Sequence, residues 1–208
     1  MNKQKILIID YGTGNISSIK NAILFNDGKV IISSKTEEIE SATHIILPGV
    51  GSFPEAIKKL KKKNLIESIQ SAHKKGAYIL GICLGMQLFF TEGEEFVKCK
   101  GLDLIKGKIK KMRSNLKLPN IGWRNCNIKE KVSDIKILKD ITNKDNFYFI
   151  HSYILTEYSK KIFIETSTYG NINFPSVFQS ENIFGCQFHP EKSRGAGLKI
   201  IKNFINLK

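Results

Sequence analysis

The first half of the chain carries apolar runs with no polar interruption, and this restricts the fold more than any other feature. A strand with one wet face alternates apolar and polar residues, whereas a strand covered on both faces does not. Lys5 to Ile9, Val30 to Ser33, His44 to Leu47 and Ala77 to Ile82 are of the second kind. The segments between them, about Asn15 to Phe25 and Pro54 to Lys75, have helical spacing. This alternation predicts an α/β three-layer sandwich whose central sheet is mostly parallel, a flavodoxin-like arrangement. The second half reads differently. Lys106 to Met112, Phe147 to Leu155, Ile162 to Tyr169, Ser176 to Gln179 and Ile183 to Phe188 are strand-like, with few helices between them. An antiparallel or mixed extension of the sheet is expected there, with a hairpin turn at Ser180-Glu181-Asn182. Leu198, Ile201, Phe204 and Ile205 form the apolar stripe of a closing helix from Gly197 to Leu207. No repeat, low-complexity tract or linker divides the sequence, so residues 1–208 are expected to form a single domain.

Several function classes fit poorly. No apolar run approaches the roughly 20 residues that cross a bilayer, so no membrane role is expected. The start, MNKQKILIIDYG, is basic and then apolar, but its apolar stretch is closed by Asp10 with no small-residue cleavage site. It reads as a buried first strand, and the cytoplasm is the expected location. Cys83, Cys99, Cys126 and Cys186 show neither metal-ligand nor scaffold spacing, so no metal, no cofactor and a reducing compartment are expected. The net charge of +14 raises the question of nucleic acid. Only three of the 33 basic residues are arginines (Arg113, Arg124 and Arg194), and they are scattered. Readers of nucleic acid favour the arginine fork, so the run Lys58-Lys59-Leu60-Lys61-Lys62-Lys63 reads as a solvated helix face and no nucleic acid is expected.

The chemistry concentrates in Gly81-Ile82-Cys83-Leu84-Gly85-Met86-Gln87. It has the form G-x-C-x-G where an apolar strand passes into a helix, a nucleophile elbow with cysteine in place of serine. The flanking positions must be tiny for the sharp turn to close, and the Leu84 N–H would face a developing oxyanion. A buried structural cysteine in a glycine-rich turn would look the same, so the elbow needs a base. Of the four histidines, His44 reads as structural or exposed and His73 as solvent-facing. His189 opens His189-Pro190-Glu191 after another apolar strand. Residues two apart in extended backbone project to one side, so Glu191 can steady one ring nitrogen while the other faces a thiol.

Two glycine-rich turns also follow strands. Pro48-Gly49-Val50-Gly51 could bring a second backbone N–H to the oxyanion, or simply turn the chain before a helix. Asp10-Tyr11-Gly12-Thr13-Gly14-Asn15 lacks the third glycine of the dinucleotide fingerprint, so no nucleotide site is read there.

Taken together, these stretches resemble the class I, or triad, glutamine amidotransferases over essentially the whole chain. Gln187-Phe188-His189-Pro190-Glu191, Ile121-Gly122-Trp123 and Phe149-Ile150-His151-Ser152-Tyr153 narrow the resemblance to the glutaminase subunits of imidazole glycerol phosphate synthase. The resemblance implies Cys83, His189 and Glu191 as the triad acting on L-glutamine through a thioester. It further implies an oxyanion hole from Leu84 with Gly49, Val50 and Gly51, and a glutamine pocket lined by Gln87, Ser152 and Tyr153. Asn15, Trp123 and Lys192 fall where a partner would dock. That partner would be a cyclase with a (β/α)₈ barrel, forming a heterodimer and consuming the ammonia in histidine biosynthesis. A glutaminase with no second domain needs such a recipient, because free ammonia is mostly protonated at neutral pH. The glycine-rich oxyanion segment is a candidate switch that forms only when the partner is loaded.

The sequence departs from this pattern at two positions. Relatives commonly carry His two residues before the Gly-Trp and Asn directly after it, where this chain has Asn120 and Arg124. Their place beside Trp123 suggests the partner face, and therefore an alternative recipient, a sugar amidotransferase of surface-glycan synthesis. A non-catalytic module would predict a broken triad, and a cysteine peptidase would need neither Gln87 nor the His-Pro-Glu unit.

Overall fold

The computed structural model describes residues 4–128 and 135–208. The first half runs β1 (Ile6–Ile9), α1 (Ile16–Phe25), β2 (Val30–Ser33), α2 (Thr36–Glu40), β3 (His44–Leu47), α3 (Phe53–Lys62), α4 (Leu65–Lys74), β4 (Tyr78–Ile82) and α5 (Leu84–Gln87). There follow β5 (Phe90–Gly93), β6 (Cys99–Lys100), β7 (Ile105–Lys111), β8 (Asn120–Asn125), β9 (Asn146–His151), β10 (Tyr153–Tyr158), β11 (Phe163–Tyr169), β12 (Ile172–Ser180), β13 (Ile183–Cys186) and α6 (Arg194–Ile205).

A seven-stranded sheet of order β11-β12-β13-β4-β3-β1-β2 forms the middle layer. Strands β13, β4, β3, β1 and β2 run parallel, and β12 and β11 add antiparallel at one edge. The uninterrupted apolar runs of β1, β3 and β4 are explained by two cores, one on each face, whereas β2 lies at the sheet edge with Ile31 and Ile32 exposed, contrary to the sequence reading. In β1, Ile6 and Ile8 pack with Ile19, Ile23, Ile200 and Phe204 of α1 and α6. Leu7 and Ile9 of the same strand point the other way, to Phe53, Leu60 and Ile69 of α3 and α4. Each such side chain contributes about 1.5–3 kcal/mol through burial. Helix α3 buries Phe53, Ala56, Ile57 and Leu60 at helical spacing and leaves the lysine run exposed, as expected of a solvated face.

The second half departs from the sequence reading in three ways. Only β11, β12 and β13 join the central sheet. Strands β10-β7-β5-β6 form a separate four-stranded sheet and β8-β9 a two-stranded ribbon. The expected single strand over Phe147 to Leu155 breaks at Ser152, so that β9 pairs with β8 and β10 with β7. Periodicity cannot see this break, because the apolar pattern continues through it while the hydrogen-bond partners change. In addition, the helical region to Lys75 divides at Asn64, whose left-handed backbone (φ 54) ends the first helix and starts the second. The short α2 carries too little pattern to be read, and α6 begins at Arg194, ahead of the expected Gly197. The Ser180–Asn182 hairpin closes with Ser180 paired to Ile183, and Pro175 sits at a register shift in β12 where its missing N–H is tolerated.

Candidate active site

The carboxyl ends of β13, β4, β3 and β1 lie side by side, which is where open parallel sheets form ligand crevices. From them issue, in spatial order, His189, Cys83, the Pro48–Gly51 segment and the Tyr11–Thr13 loop. Cys83 has φ 53 and ψ −111, a strained conformation for a residue with a side chain, at the junction of β4 and α5. Its own N–H donates to Cys186 O at 2.7 Å, which ties the elbow to β13. The turn closes because its flanks are glycine. A Cβ on Gly81 would lie 2.5 Å from Met86 Cα, and one on Gly85 would collide with Leu47 O.

Beyond β13 the chain stays extended. His189 N–H donates to Tyr148 O at 2.9 Å, and Phe188 stacks on Phe147 with centroids 4.1 Å apart. Glu191 comes beside the ring through a 3₁₀ turn over Pro190–Lys192 and not through the extended backbone the sequence suggested, with Oε1 2.8 Å from His189 Nδ1 and a carboxylate side chain only 1% exposed. Burial alone would lower the His189 pKa. Hydrogen bonds with the Cys83 and Glu191 side chains, and the charges of both, outweigh it and raise the value to about 10. The ring is therefore held between a thiol and a buried carboxylate.

The Pro48–Gly51 segment reaches the elbow directly. A Cβ on Gly49 would collide with Gly85 N, so the two backbones are in contact. Two hydroxyls hold the segment from the other side: Tyr11 donates to Pro48 O at 2.8 Å and Thr13 to Val50 O at 2.7 Å. Burial, and then the charge of Cys83, raise the Tyr11 pKa, so its hydroxyl remains a donor. Val50 is 44% exposed, and Gly51 has φ +97.

Gln87, Ser152 and Tyr153 also converge on this region. Gln87 Nε2 donates to Tyr153 O at 3.0 Å and to Gln187 Oε1 at 2.9 Å, while Ser152 O accepts from Met112 N–H at 2.8 Å. Gln187, fully buried, donates to Cys83 Sγ at 3.8 Å. Sequence reasoning missed Gln187 as a site residue. Strand alternation carried two residues back from His189 would have found it. Glu95 was also missed: its Oε2 accepts Phe53 N–H at 2.7 Å and its charge acts on Tyr153, but it lies in a segment with no readable pattern.

The three interface candidates lie on the surface around the site. Trp123 is 42% exposed with Arg194 over its ring, Lys192 is exposed, and Asn15 precedes α1, which packs on the Pro190–Lys192 turn. Ile121 and Ile150, paired across the ribbon, are also exposed. Asn120 and Arg124 require a correction. They flank Trp123 in sequence but point to the opposite face of β8, with Asn120 completely buried, because strand neighbours alternate. His44 is buried against Tyr78 and Phe204, and His73 is half-buried instead of solvent-facing. Among the described residues no group of His, Cys, Asp or Glu is arranged to hold a metal, and no helix is long and apolar enough to cross a membrane.

Comparison with known proteins agrees with this geometry. The glutamine amidotransferase class-I family model matches residues 7–207. The imidazole glycerol phosphate synthase subunit HisH of Lactococcus lactis subsp. lactis is 43% identical over 202 residues, covering 97% of this chain and 98% of that one. The same-named subunit of Methanocaldococcus jannaschii is 44% identical, covering 96% and 98%. Among solved structures, a glutamine amidotransferase superposes with TM-score 0.76 at 13% identity over 97% of this chain and 99% of that one. PurLQS from Thermotoga maritima gives 0.71 at 17%, covering 98% of each.

Proposed function

The chain belongs to the class I glutamine amidotransferase family, and from that premise we propose that Cys83, His189 and Glu191 carry out its glutamine hydrolysis. It is the glutaminase subunit of imidazole glycerol phosphate synthase, in histidine biosynthesis. Cys83 Sγ passes its proton to His189 and attacks the side-chain amide carbon of glutamine. The Leu84 N–H and a backbone N–H of Gly49-Val50-Gly51 receive the charge that develops on oxygen. His189 gives its proton to the leaving nitrogen, the C–N bond breaks, and ammonia departs from a γ-glutamyl thioester. The ring then takes a proton from water as it attacks the thioester, and glutamate and the thiol are released. Glu191 holds the Nδ1 proton of His189 throughout. The observation that carries this reading is the imidazole set between Cys83 and a buried carboxylate.

The pocket follows from the same geometry. Gln87 and the backbone of Ser152-Tyr153 line it, and Glu95, whose charge acts on Tyr153, offers a carboxylate for the α-ammonium of glutamine. The synthase is completed by a cyclase subunit. Asn15, Trp123 and Lys192, with the exposed Ile121 and Ile150, form the face we assign to that partner, and a (β/α)₈ barrel is the form we propose for it. Residues 1–208 then act as one amidotransferase domain, since all three sheets contribute to the site. Asn120 and Arg124 face inward and no longer argue for a sugar amidotransferase as recipient.

The test is glutamate release by Cys83→Ala in the reconstituted, substrate-loaded complex. Turnover from glutamine is expected to fall by about 10⁴-fold or more, while turnover from added ammonium salt persists. Near wild-type glutamate release would overturn the assignment.

A further inference from the structure

Three polar side chains that the mechanism does not use form one directional chain of hydrogen bonds behind the glutamine pocket. The Tyr153 carbonyl can only accept, so the 3.0 Å contact from His151 Nδ1 places the ring proton on Nδ1. The other ring nitrogen is then an acceptor, and Asn120 Nδ2 lies 3.0 Å from it. The Asn120 amide is oriented in turn by Arg124, whose Nε–H can only donate and reaches Asn120 Oδ1 at 2.6 Å. Arg124 is itself fixed, its guanidinium lying 4.5 Å above the Tyr169 ring. At the far end, Tyr153 O also receives Gln87 Nε2, and Gln87 leads through Gln187 to Cys83 Sγ.

We infer that Arg124, acting through Asn120, fixes the tautomer of His151 and so holds the Tyr153 carbonyl where the glutamine pocket requires it. Arg124 is thus a positioning residue for substrate binding, and this rests on the reading that the space beside Gln87 and Tyr153 takes glutamine. The physical argument is one of polarity. An asparagine amide presents either its oxygen or its nitrogen to a neighbour, and the guanidinium on Oδ1 selects the same orientation that the Tyr153 carbonyl requires at the other end of the chain. With the amide reversed, the ring would carry its proton on Nε2 and turn a lone pair towards the lone pairs of Tyr153 O. The backbone at Ser152 would then have to move, at the point where β9 gives way to β10. Burial first, and then the positive charges of Arg124 and His189, also keep the His151 ring neutral, lowering its pKa to about 4. Phe149 and Phe174 supply its remaining aromatic neighbours. The departures from the family pattern at 120 and 124 therefore work as a pair.

The experiment combines glutamine kinetics in the partner-loaded complex with ¹⁵N NMR of His151 in the full chain. For Arg124→Ala, KM for glutamine is expected to rise about 5- to 10-fold, the equivalent of one ordinary hydrogen bond, with kcat within about twofold. Ammonium-dependent turnover should not change, and the His151 signals should move from the Nδ1–H form to a mixture. Arg124→Lys should recover part of the KM. Asn120→Asp is near-isosteric, which guards against simple unfolding. It accepts from Arg124 but cannot donate to the ring, so His151 should become an imidazolium at neutral pH. An unchanged tautomer, or a shifted tautomer with unchanged KM, would overturn the inference. So would equal losses of glutamine- and ammonium-dependent turnover together with reduced thermal stability. Absence of glutaminase in the unaltered complex would sink the site reading instead, and the NMR result would still judge the His151 assignment.

Discussion

The two segments expected to bind the oxyanion differ in how they are held. The elbow at Cys83 is locked by backbone packing: Gly81 and Gly85 leave no room for a methyl group, and Cys83 N–H is tied to β13. The Gly49-Val50-Gly51 segment touches the same elbow, but its outer side is exposed and is held by two side-chain hydroxyls, Tyr11 on Pro48 O and Thr13 on Val50 O. A position set by close packing cannot shift without a large cost, whereas one set by about 1 kcal/mol per hydrogen bond can be reset by a partner. The proposed nucleophile and base are thus prebuilt, and the proposed second oxyanion donor is the adjustable part.

Three measurements would break or sharpen this contrast. The largest effect is expected from Gly85→Ala, because the added methyl falls on Leu47 O. Glutamate release should drop by at least the 10²–10³-fold that marks a lost oxyanion donor. A drop below tenfold would show that the elbow yields. A smaller effect should follow from Thr13→Val, which frees Val50 O. Partner-free glutamate release should rise about fivefold, corresponding to one hydrogen bond, with the partner-loaded rate unchanged. A fall in the partner-free rate would mean that the resting pose is already the competent one. The smallest effect lies in the pH dependence of stability. His189 titrates near 10 in the fold against about 6.5 unfolded, so its contribution is complete below pH 6.5 and is lost as pH rises towards 10. His151 has the opposite sign: titrating near 4, it contributes above pH 6.5 and loses that contribution as pH falls towards 4. Melting curves across this range should show the alkaline decline reduced in His189→Gln and the acid decline reduced in His151→Gln. Declines unaltered by these substitutions would assign them to other groups.

Much of the fold was legible because its signals are local. β1 to β4 and their covering helices appear in the sequence as continuous apolar runs and helical stripes, and the structure reproduces them within a few residues. The elbow and the His-Pro-Glu unit were legible for a similar reason. Their chemistry needs particular residue types at spacings of one or two, which extended or sharply turned backbone converts directly into geometry.

Where the signal depends on partners distant in sequence, the reading stopped. The break at Ser152, the ribbon of β8 and β9, and the inward aim of Asn120 and Arg124 all depend on which strand pairs with which. By itself the sequence determined the parallel core and singled out Cys83, His189 and Glu191 as the proposed nucleophile, base and carboxylate. Only the tertiary structure decided that β13 lies next to β4, bringing imidazole to thiol across a hundred residues of chain, and that Arg124 faces His151 instead of the Trp123 side. The physical reason is that side-chain periodicity fixes which face a residue takes within its own element. What that face meets is fixed only when the strands pair and the cores close.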